Sequence, residues 1–405
     1  MGHGGVARPR HVHVCVVGAG AIGLAAALRA AELGAENVTV LEQAHPAAGS
    51  SGLSAGIFNR QSIDPLDISI RVEAERLLTR LSSEDGLPLV RCGYVRLAHS
   101  DQQLQAFEAA LEVERSLGVT DASLLSAAEL ARLVPGMYCG DLAGGLYGAS
   151  DGHLDGHLLC STLAARARRR GVQVRARTRL TEAQPARNGY QLATTNGTFA
   201  ADVVINAAGA WASRVAGLFG EHVPLVSQRH QVCQVTLGEP IAHQLPVVQE
   251  YVPGTTGLAP YFREEGPAQL IAGLHSHQAT PGRSSEDPDV YRRQVDADYV
   301  EEVAAALDHR LPALPEPAIA GGWCGLYPLS PDGNPQIGPH ARQPGLVAAC
   351  GGGGVGLTLG LIYGSLAAEW ALLGEPTSMP AADAYLPDRA TLRPTASESS
   401  RLVQS

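Results

Sequence analysis

The chain has 405 residues, too many for one ordinary hydrophobic core, and an apolar share of 45%, ordinary for a globular protein. Its formal charge of −10 excludes non-specific binding to nucleic acid, and its seven cysteines are too scattered for a structural zinc site or a disulfide framework. No lysine stands among the 30 basic residues, which excludes Schiff-base chemistry and any lysine ammonium at a site.

The first predicted element is a buried strand, the valine-rich run 13–17. It runs into Gly18-Ala-Gly20-Ala21-Ile22-Gly23, then a helix over 24–33 and a second apolar strand over 38–41 that ends in Glu42. Such a βαβ unit can hold a dinucleotide. Gly18 permits the tight turn, Gly20 lets the backbone approach a pyrophosphate, and Gly23 lets the helix pack on the strand. The helix N-terminus offers free amides and a positive dipole end. Glu42 is placed to accept from a ribose hydroxyl. A Gly-rich turn in an ordinary α/β protein is the plainer alternative.

Further helices are expected over 68–81, 102–118, 127–133 and 158–170, a strand pair near 89–97, and strands over 172–180 and 189–193. An apolar strand over 201–208 ends in Gly209-Ala210-Trp211. Residues 222–320 are β-rich, with strands over 232–237, 258–262 and 269–274, a polar segment over 275–288 and a helix over 299–307. The uncharged stretch 346–368 is long enough to raise a membrane span, yet its Gly351–Gly356 cluster fits better a loop entering a buried helix that runs to about 373. No secretory signal is expected in residues 1–10. Two Gly-rich apolar returns predict a nucleotide domain assembled from three pieces, 11–85, 151–220 and 321–387. Residues 86–150 and 221–320 would form a second domain, and 388–405 a frayed tail.

Five motifs in order carry a resemblance. They are Gly18–Gly23 with Glu42; Gly49-Ser-Ser-Gly-Leu-Ser-Ala-Gly56; Val203-Val-Ile-Asn-Ala-Ala-Gly-Ala-Trp-Ala212; Trp323-Cys-Gly-Leu-Tyr-Pro-Leu-Ser-Pro-Asp-Gly333; and Gly351-Gly-Gly-Gly-Val-Gly-Leu-Thr358. Together they resemble the D-amino-acid oxidase superfamily of FAD-dependent oxidoreductases, above all its sarcosine oxidase, glycine oxidase and dimethylglycine dehydrogenase group. The resemblance covers most of the chain. It implies an α/β + α+β fold: a discontinuous Rossmann-like FAD-binding domain and an antiparallel-sheet substrate domain.

Ser50 and Ser51 are hydroxyl donors suited to phosphate and ribityl oxygens, against the alternative of a plain polar loop. The amides of Gly352-Gly353-Gly354-Val355-Gly356-Leu357-Thr358 can face the pyrimidine edge of a reduced flavin, where negative charge develops. The resemblance adds Gln43, Ser54, Ala55, Gly56, Val174, Ala208, Gly209, Trp211 and Gly325 to the cofactor set, and implies no metal. Some members attach flavin through a cysteine just before the Pro-Asp pair. Aligned on Pro331-Asp332, that place is Gly325, with Cys324 one residue off. Others use a His where this chain has Leu53-Ser54-Ala55-Gly56. Non-covalent FAD is therefore expected. Ile271 stands where monomeric sarcosine oxidases place an oxygen-activating lysine.

On the substrate side, His275 matches a family His that binds a carboxylate or tunes amine protonation, and Tyr261 an active-site tyrosine. Each reads equally as a packing residue. A carboxylate-binding arginine aligns with Asn59 or Arg60. Arg229 begins a substrate-domain strand and faces either the pocket or solvent, and Tyr327 lies beside the flavin-contacting segment. The expected function is FAD-dependent oxidation of the C–N bond of an amino acid or N-substituted amino acid, by hydride transfer to flavin, giving an imine that hydrolyses. Oxygen or another electron acceptor completes the cycle. No nucleic-acid or membrane partner is expected, and an oligomer stays open. A 2-hydroxy-acid or biosynthetic tailoring dehydrogenase on the same scaffold is one alternative, and a non-catalytic flavoprotein subunit is another. The Ala, Gly and Arg bias fits a GC-rich bacterial genome, and the chain reads as cytoplasmic.

Overall fold

A computed structural model describes residues 12–253, 255, 257–276 and 285–392. Its elements begin with β1 (His13–Val17), α1 (Ala21–Glu32), β2 (Asn37–Leu41), β3 (Ile57–Phe58), α2 (Pro65–Asp85), β4 (Tyr94–Ala98), α3 (Asp101–Ser116) and β5 (Ala122–Leu125). They continue with α4 (Ala127–Leu133), β6 (Gly144–Gly148), β7 (Gly152–His153), α5 (Gly156–Arg169), β8 (Gln173–Arg175), β9 (Leu180–Ala186), β10 (Gly189–Thr194), β11 (Gly197–Ala201) and β12 (Val203–Asn206). The rest are α6 (Ala212–Leu218), β13 (Val226–Thr236), β14 (Val247–Gln249), β15 (Ala259–Gly266), β16 (Gln269–His275), α7 (Ala297–Arg310), β17 (Ala318–Leu329), β18 (Gln336–His340), β19 (Gln343–Cys350) and α8 (Gly360–Leu373). Residues 277–284 of the expected polar segment, the tail from 393 and residues 1–11 lie outside the described residues.

The chain packs as two units. One takes the residues up to Gly52, Cys160–Gln228 and Tyr327 onward; the other takes Leu53–Leu159 and Arg229–Leu326. Residues 53–85, given to the nucleotide domain by the sequence reading, group with the second unit, because β3 pairs with β7 and α2 packs on α3. The other boundaries fall at 159, 228 and 326, a few residues past 150, 220 and 320.

The first unit is built on a six-stranded sheet of order β18-β19-β12-β1-β2-β8, parallel apart from β18. β1 lies between β12 and β2, so the strand order reverses there. The ends of β1 and β12 open at the crevice where α/β sheets bind ligands. Gly18 turns out of β1 with φ 108°, and a Cβ on it would lie 2.4 Å from the Ala207 carbonyl oxygen. Only glycine fits both conditions. α8 packs along α1. A Cβ on Gly364 would stand 2.2 Å from the Ile22 oxygen, so the two backbones touch. Arg29 pairs at 2.8 Å with the buried Glu369 across that contact. The expected strand over 172–180 is two strands, broken where Arg177 takes φ 53°. Residues 346–368 hold the end of β19, a short 3₁₀ turn and the start of α8. Among the described residues no helix is long and apolar enough to cross a membrane.

The second unit centres on an eight-stranded sheet of order β17-β13-β16-β15-β14-β4-β6-β5. From β13 to β5 neighbours run antiparallel, with one exception: β14 lies parallel to β4, so the antiparallel sheet implied by the motifs carries a parallel join. One face is apolar. Val95, Val248, Phe262, Ala272 and Cys233 sit in register across five strands and pack with Val303 and Leu307 of α7. β17 is not among the strands expected from the sequence. In the fold Gly322 marks a close crossing, where a Cβ would lie 2.1 Å from the Val232 oxygen.

Candidate functional site

The glycine motif sits wholly in the first unit. Gly20, extended, caps α1, and a Cβ there would lie 3.0 Å from Ser51 Oγ. That hydroxyl accepts from the Ala21 amide at 3.1 Å, so Ser51 binds the helix N-terminus expected to receive phosphate. The first-turn amides of Ile22 and Gly23 lie beside it, without an intrahelical acceptor. Glu42 accepts from the Ala19 amide at 2.9 Å and the Ala44 amide at 2.8 Å, tying the glycine turn to the end of β2. A carboxylate has about four acceptor sites, so a ribose hydroxyl can still be added. Gln43 and Ser50 follow on the same rim, half-buried. Val174 of β8 is opposite Val40.

Beyond β12, Ala208 leads into the short 3₁₀ turn Gly209–Trp211, and the Trp211 ring lies 3.8 Å from where a Gly49 Cβ would be. Gly352–Gly356 coils tightly around the 3₁₀ turn Gly353–Val355; a Cβ on Gly352 would lie 2.9 Å from the Gly356 Cα. Leu357 and Thr358 are buried behind it. Burial pushes the Tyr327 phenol up to about 12, so it stays protonated. The clearances and the amide donors of this cradle fit a dinucleotide pyrophosphate.

Four residues of the expected cofactor set belong to the second unit. Ala55 offers its carbonyl to Arg263 Nε at 2.8 Å, and Ser54 Oγ accepts from the Gly56 amide at 3.1 Å. Gly56 has φ 74°, with Leu154 backbone 1.8 Å from any Cβ, and a Cβ on Gly325 would lie 3.4 Å from the Leu53 Cβ.

The face of the eight-stranded sheet opposite its apolar core carries a polar row. In-register residues share a face. Arg96, Gln249, Tyr261 and Gly273 are therefore consecutive neighbours across β4, β14, β15 and β16. Tyr261 fills the space that Gly273 leaves: a Cβ there would lie 2.9 Å from its hydroxyl. The His275 ring is met edge-on by Tyr251 at 5.3 Å and Tyr261 at 6.4 Å. The structure thus brings His275 and Tyr261 together.

It does not bring Arg60 to them as a free fork. Arg60 is buried, with Nε on Asp151 at 2.8 Å and both terminal nitrogens on Asp121 at 2.8 Å. All three nitrogens of its guanidinium are engaged by carboxylates, which corrects the expected carboxylate role. Burial outweighs this pairing at Asp151 and pushes its pKa up to about 6. Asn59 accepts from Arg71. Arg229 is half-buried and committed to a local pairing. It pairs with Asp296 and donates to the carbonyls of Arg292 and Gln294, holding that strap against β13. Cys324 is buried, its thiol 3.2 Å from the Gln294 carbonyl, and burial raises its pKa.

Sequence reasoning missed Arg96, Gln249 and Glu114. The first sits in Tyr94-Val-Arg-Leu-Ala98, where alternation implies a solvent face; in the fold both faces of β4 are buried. Glu114 is buried on α3, and burial pushes its carboxyl up to about 8.

A model of the FAD dependent oxidoreductase family matches residues 13–370. The chain is 28% identical over 381 residues to human mitochondrial sarcosine dehydrogenase, covering 91% of this chain and 40% of that protein. With glycine oxidase of Geobacillus kaustophilus it shares 26% identity over 365 residues, 88% of this chain and 92% of the relative. The chain thus spans about two fifths of the sarcosine dehydrogenases and nearly all of the glycine oxidase. Among solved structures, L-proline dehydrogenase from P. horikoshii shares the fold, with a TM-score of 0.81 at 24% identity over 94% of this chain and 97% of that one. The G. kaustophilus glycine oxidase structure gives 0.72 at 25% identity, over 89% and 95%.

Proposed function

The chain belongs to the FAD-dependent oxidoreductase family, and from that premise we propose that it oxidises the C–N bond of an amino acid or N-substituted amino acid. The observation that carries this reading is the polar row of the second unit, with Tyr261 and His275 packed edge to face on one sheet surface.

Bound FAD supplies a hydride acceptor; the organic chemistry is the cofactor's, and the protein binds, orients and sets protonation. Gly18–Gly23 would hold the pyrophosphate, Glu42 the ribose, and the amides of Gly352–Thr358 the pyrimidine edge. Hydride loss requires a neutral amine. An imidazole nitrogen of His275, its ring fixed between Tyr251 and Tyr261, takes the ammonium proton. The Tyr261 hydroxyl orients the amine. The C–H pair leaves as hydride, the nitrogen lone pair forms the C=N bond, and water then adds to that carbon and releases an amine and a carbonyl compound.

FAD is held without a covalent link in this reading, because the buried, protonated Cys324 thiol is a poor nucleophile. An acceptor other than oxygen is favoured. Ile271 is fully buried opposite Arg263 and Gln234, an aliphatic group where a lysine would assist oxygen.

The test is anaerobic bleaching of the purified yellow protein by amino acids and N-methyl amino acids, with 2-hydroxy acids alongside. Bleaching by amines supports the reading. Bleaching by 2-hydroxy acids alone, or by nothing, overturns it.

A further inference from the structure

We propose that Arg389 is a positioning residue for the cofactor. By gripping Asp332 it fixes the loop 330–335, and through that loop the glycine-rich turn that receives the flavin's pyrimidine edge. The inference deepens the FAD-binding reading of Gly352–Thr358 and rests on it.

The sequence assigns 388–405 to a frayed tail, yet Arg389 is held on every nitrogen of its guanidinium. Nε and Nη2 grip the two Asp332 oxygens at 2.6 and 2.7 Å, a fork that fixes direction as well as charge. Nη2 also donates to the Asn334 carbonyl at 3.0 Å, and Nη1 to those of Pro335, Tyr385 and Leu386 at 2.9, 3.0 and 3.1 Å. Thr391 Oγ1 donates to the same carboxylate at 2.5 Å. The Arg389 and Asp332 side chains are only 11% and 13% exposed, so water and salt screen the pair less than a surface bridge. Burial opposes ionisation of Asp332, but Arg389 and Thr391 outweigh it and hold its pKa below the ordinary value. A pair that served stability alone would need only the two side chains. The four carbonyls gathered by the same guanidinium fix the path of two stretches of backbone.

The loop itself has little else to shape it. Pro331, Gly333 and Asn334 are exposed, and the Asn334 amide donates to Asp332 at 3.2 Å. At both ends, however, the loop meets the cofactor cradle. Ser330 is buried, and its Oγ stands 2.6 Å from where a Cβ on Gly351 would be. Gln336, fully buried, donates to that Oγ at 3.0 Å and to the Pro224 carbonyl at 2.9 Å, and pairs in register with Cys350. Leu329 lies 3.2 Å from the place of a Gly353 Cβ. Groups packed this closely move together, so a shift of the loop is carried into Gly351–Gly353. The segment that bears Arg389 is in turn seated on the sheet and on α8. Leu386 lies 2.6 Å from where a Gly338 Cβ would be, and Tyr385 meets Tyr363 edge-on at 6.2 Å.

The test uses the purified holoprotein. It follows FAD release on dilution by flavin fluorescence, with the visible spectrum and reduction potential of the flavin that stays bound. Arg389→Leu and Asp332→Asn should each release FAD at least tenfold faster. Each should also move the potential downward, since displaced amides stabilise the reduced flavin less. The double variant should be no worse than either single one, because the two groups act as a unit. Arg389→Lys keeps the charge without the fork and should recover only part of both effects. Arg342→Leu loses an exposed pair with Glu221 at the other end of the β18–β19 hairpin and should match the wild type. A lower melting temperature with unaltered release overturns the proposal, and so does faster release with potential and spectrum unaltered. Additive losses in the double variant, or an equal loss in Arg342→Leu, overturn it as well. Should Arg389→Leu fail to fold, Asp332→Asn and Arg389→Lys decide it. A wild type that holds no FAD sinks the cofactor reading and the proposal together. A wild type that holds FAD no better than Arg389→Leu and Asp332→Asn removes the proposal alone.

Discussion

Glu114 makes stability depend on pH in a direction opposite to that of a paired carboxylate. Its side chain is 0% exposed on the inner face of α3, and neither oxygen has a partner among the described residues. Burial first, then the negative charge of Asp151, raises its pKa from 4.5 to about 8, against the opposing pull of Arg60 and Arg96. Below pH 4.5 the carboxyl is protonated whether the chain is folded or not, and it contributes nothing. Between 4.5 and 8 the folded protein keeps a proton that the unfolded chain has lost, so stability falls as pH rises and levels off above 8. At 1.36 kcal/mol per pH unit the full penalty is on the order of 5 kcal/mol. For a unit of about 200 residues that corresponds to roughly 10 °C in melting temperature. Glu114→Gln removes the titration. Its melting temperature should gain on the wild type by up to that amount between pH 5 and pH 8, read by differential scanning fluorimetry on the flavin-loaded protein. Gln brings its own unpaired amide, at a cost independent of pH, so the change in the difference is the measurement. A difference that stays flat across the range would refute the buried-acid argument.

Arg60→Leu should cost roughly 3–5 kcal/mol of stability by stranding Asp121 and Asp151, with KM for a carboxylate substrate unchanged; a tenfold KM rise at unaltered melting would restore Arg60 to the substrate. Gly20→Val should abolish flavin binding, since its Cβ meets Ser51 Oγ at 3.0 Å and its branches enter the pyrophosphate space. Near-normal flavin absorbance per folded protein would show that the phosphate turn lies elsewhere. Acid precipitation should release intact FAD into the supernatant; fluorescence that stays with the pellet would implicate Cys324. Stopped-flow reoxidation by oxygen should be slow for want of a cation at position 271. Fast reoxidation that survives His275→Ala would defeat both that expectation and a histidine substitute.

The cofactor cradle was legible because a glycine motif is a statement about local sterics. Gly18, Gly20 and Gly23 show themselves within one short stretch, although the groups that crowd the first two, Ala207 and Ser51, come from further along the chain. The polar row of the second unit was only half legible. Tyr261 and His275 could be aligned, but Arg96 and Gln249 become neighbours of Tyr261 only through a parallel join between strands that lie far apart in the chain. Arg60 misled for a related reason: its partners, Asp121 and Asp151, are 61 and 91 residues away. β17 was not named because its Gly322 makes sense only against the strand it crosses, where a Cβ would meet the Val232 oxygen.

The contact of α1 with α8 has a consequence in time. Arg29 and Glu369, joined across it, are 340 residues apart. At a synthesis rate of about 5–20 residues per second, the first helix waits roughly 20–70 s for the surface that covers it. Through that interval an alanine-rich stripe lies bare on the nascent chain, and the helix behind the phosphate turn lacks the face that covers it. Flavin capture is therefore a late event in the life of each molecule, and a ribosome stalled before codon 360 would carry a chain unable to retain it.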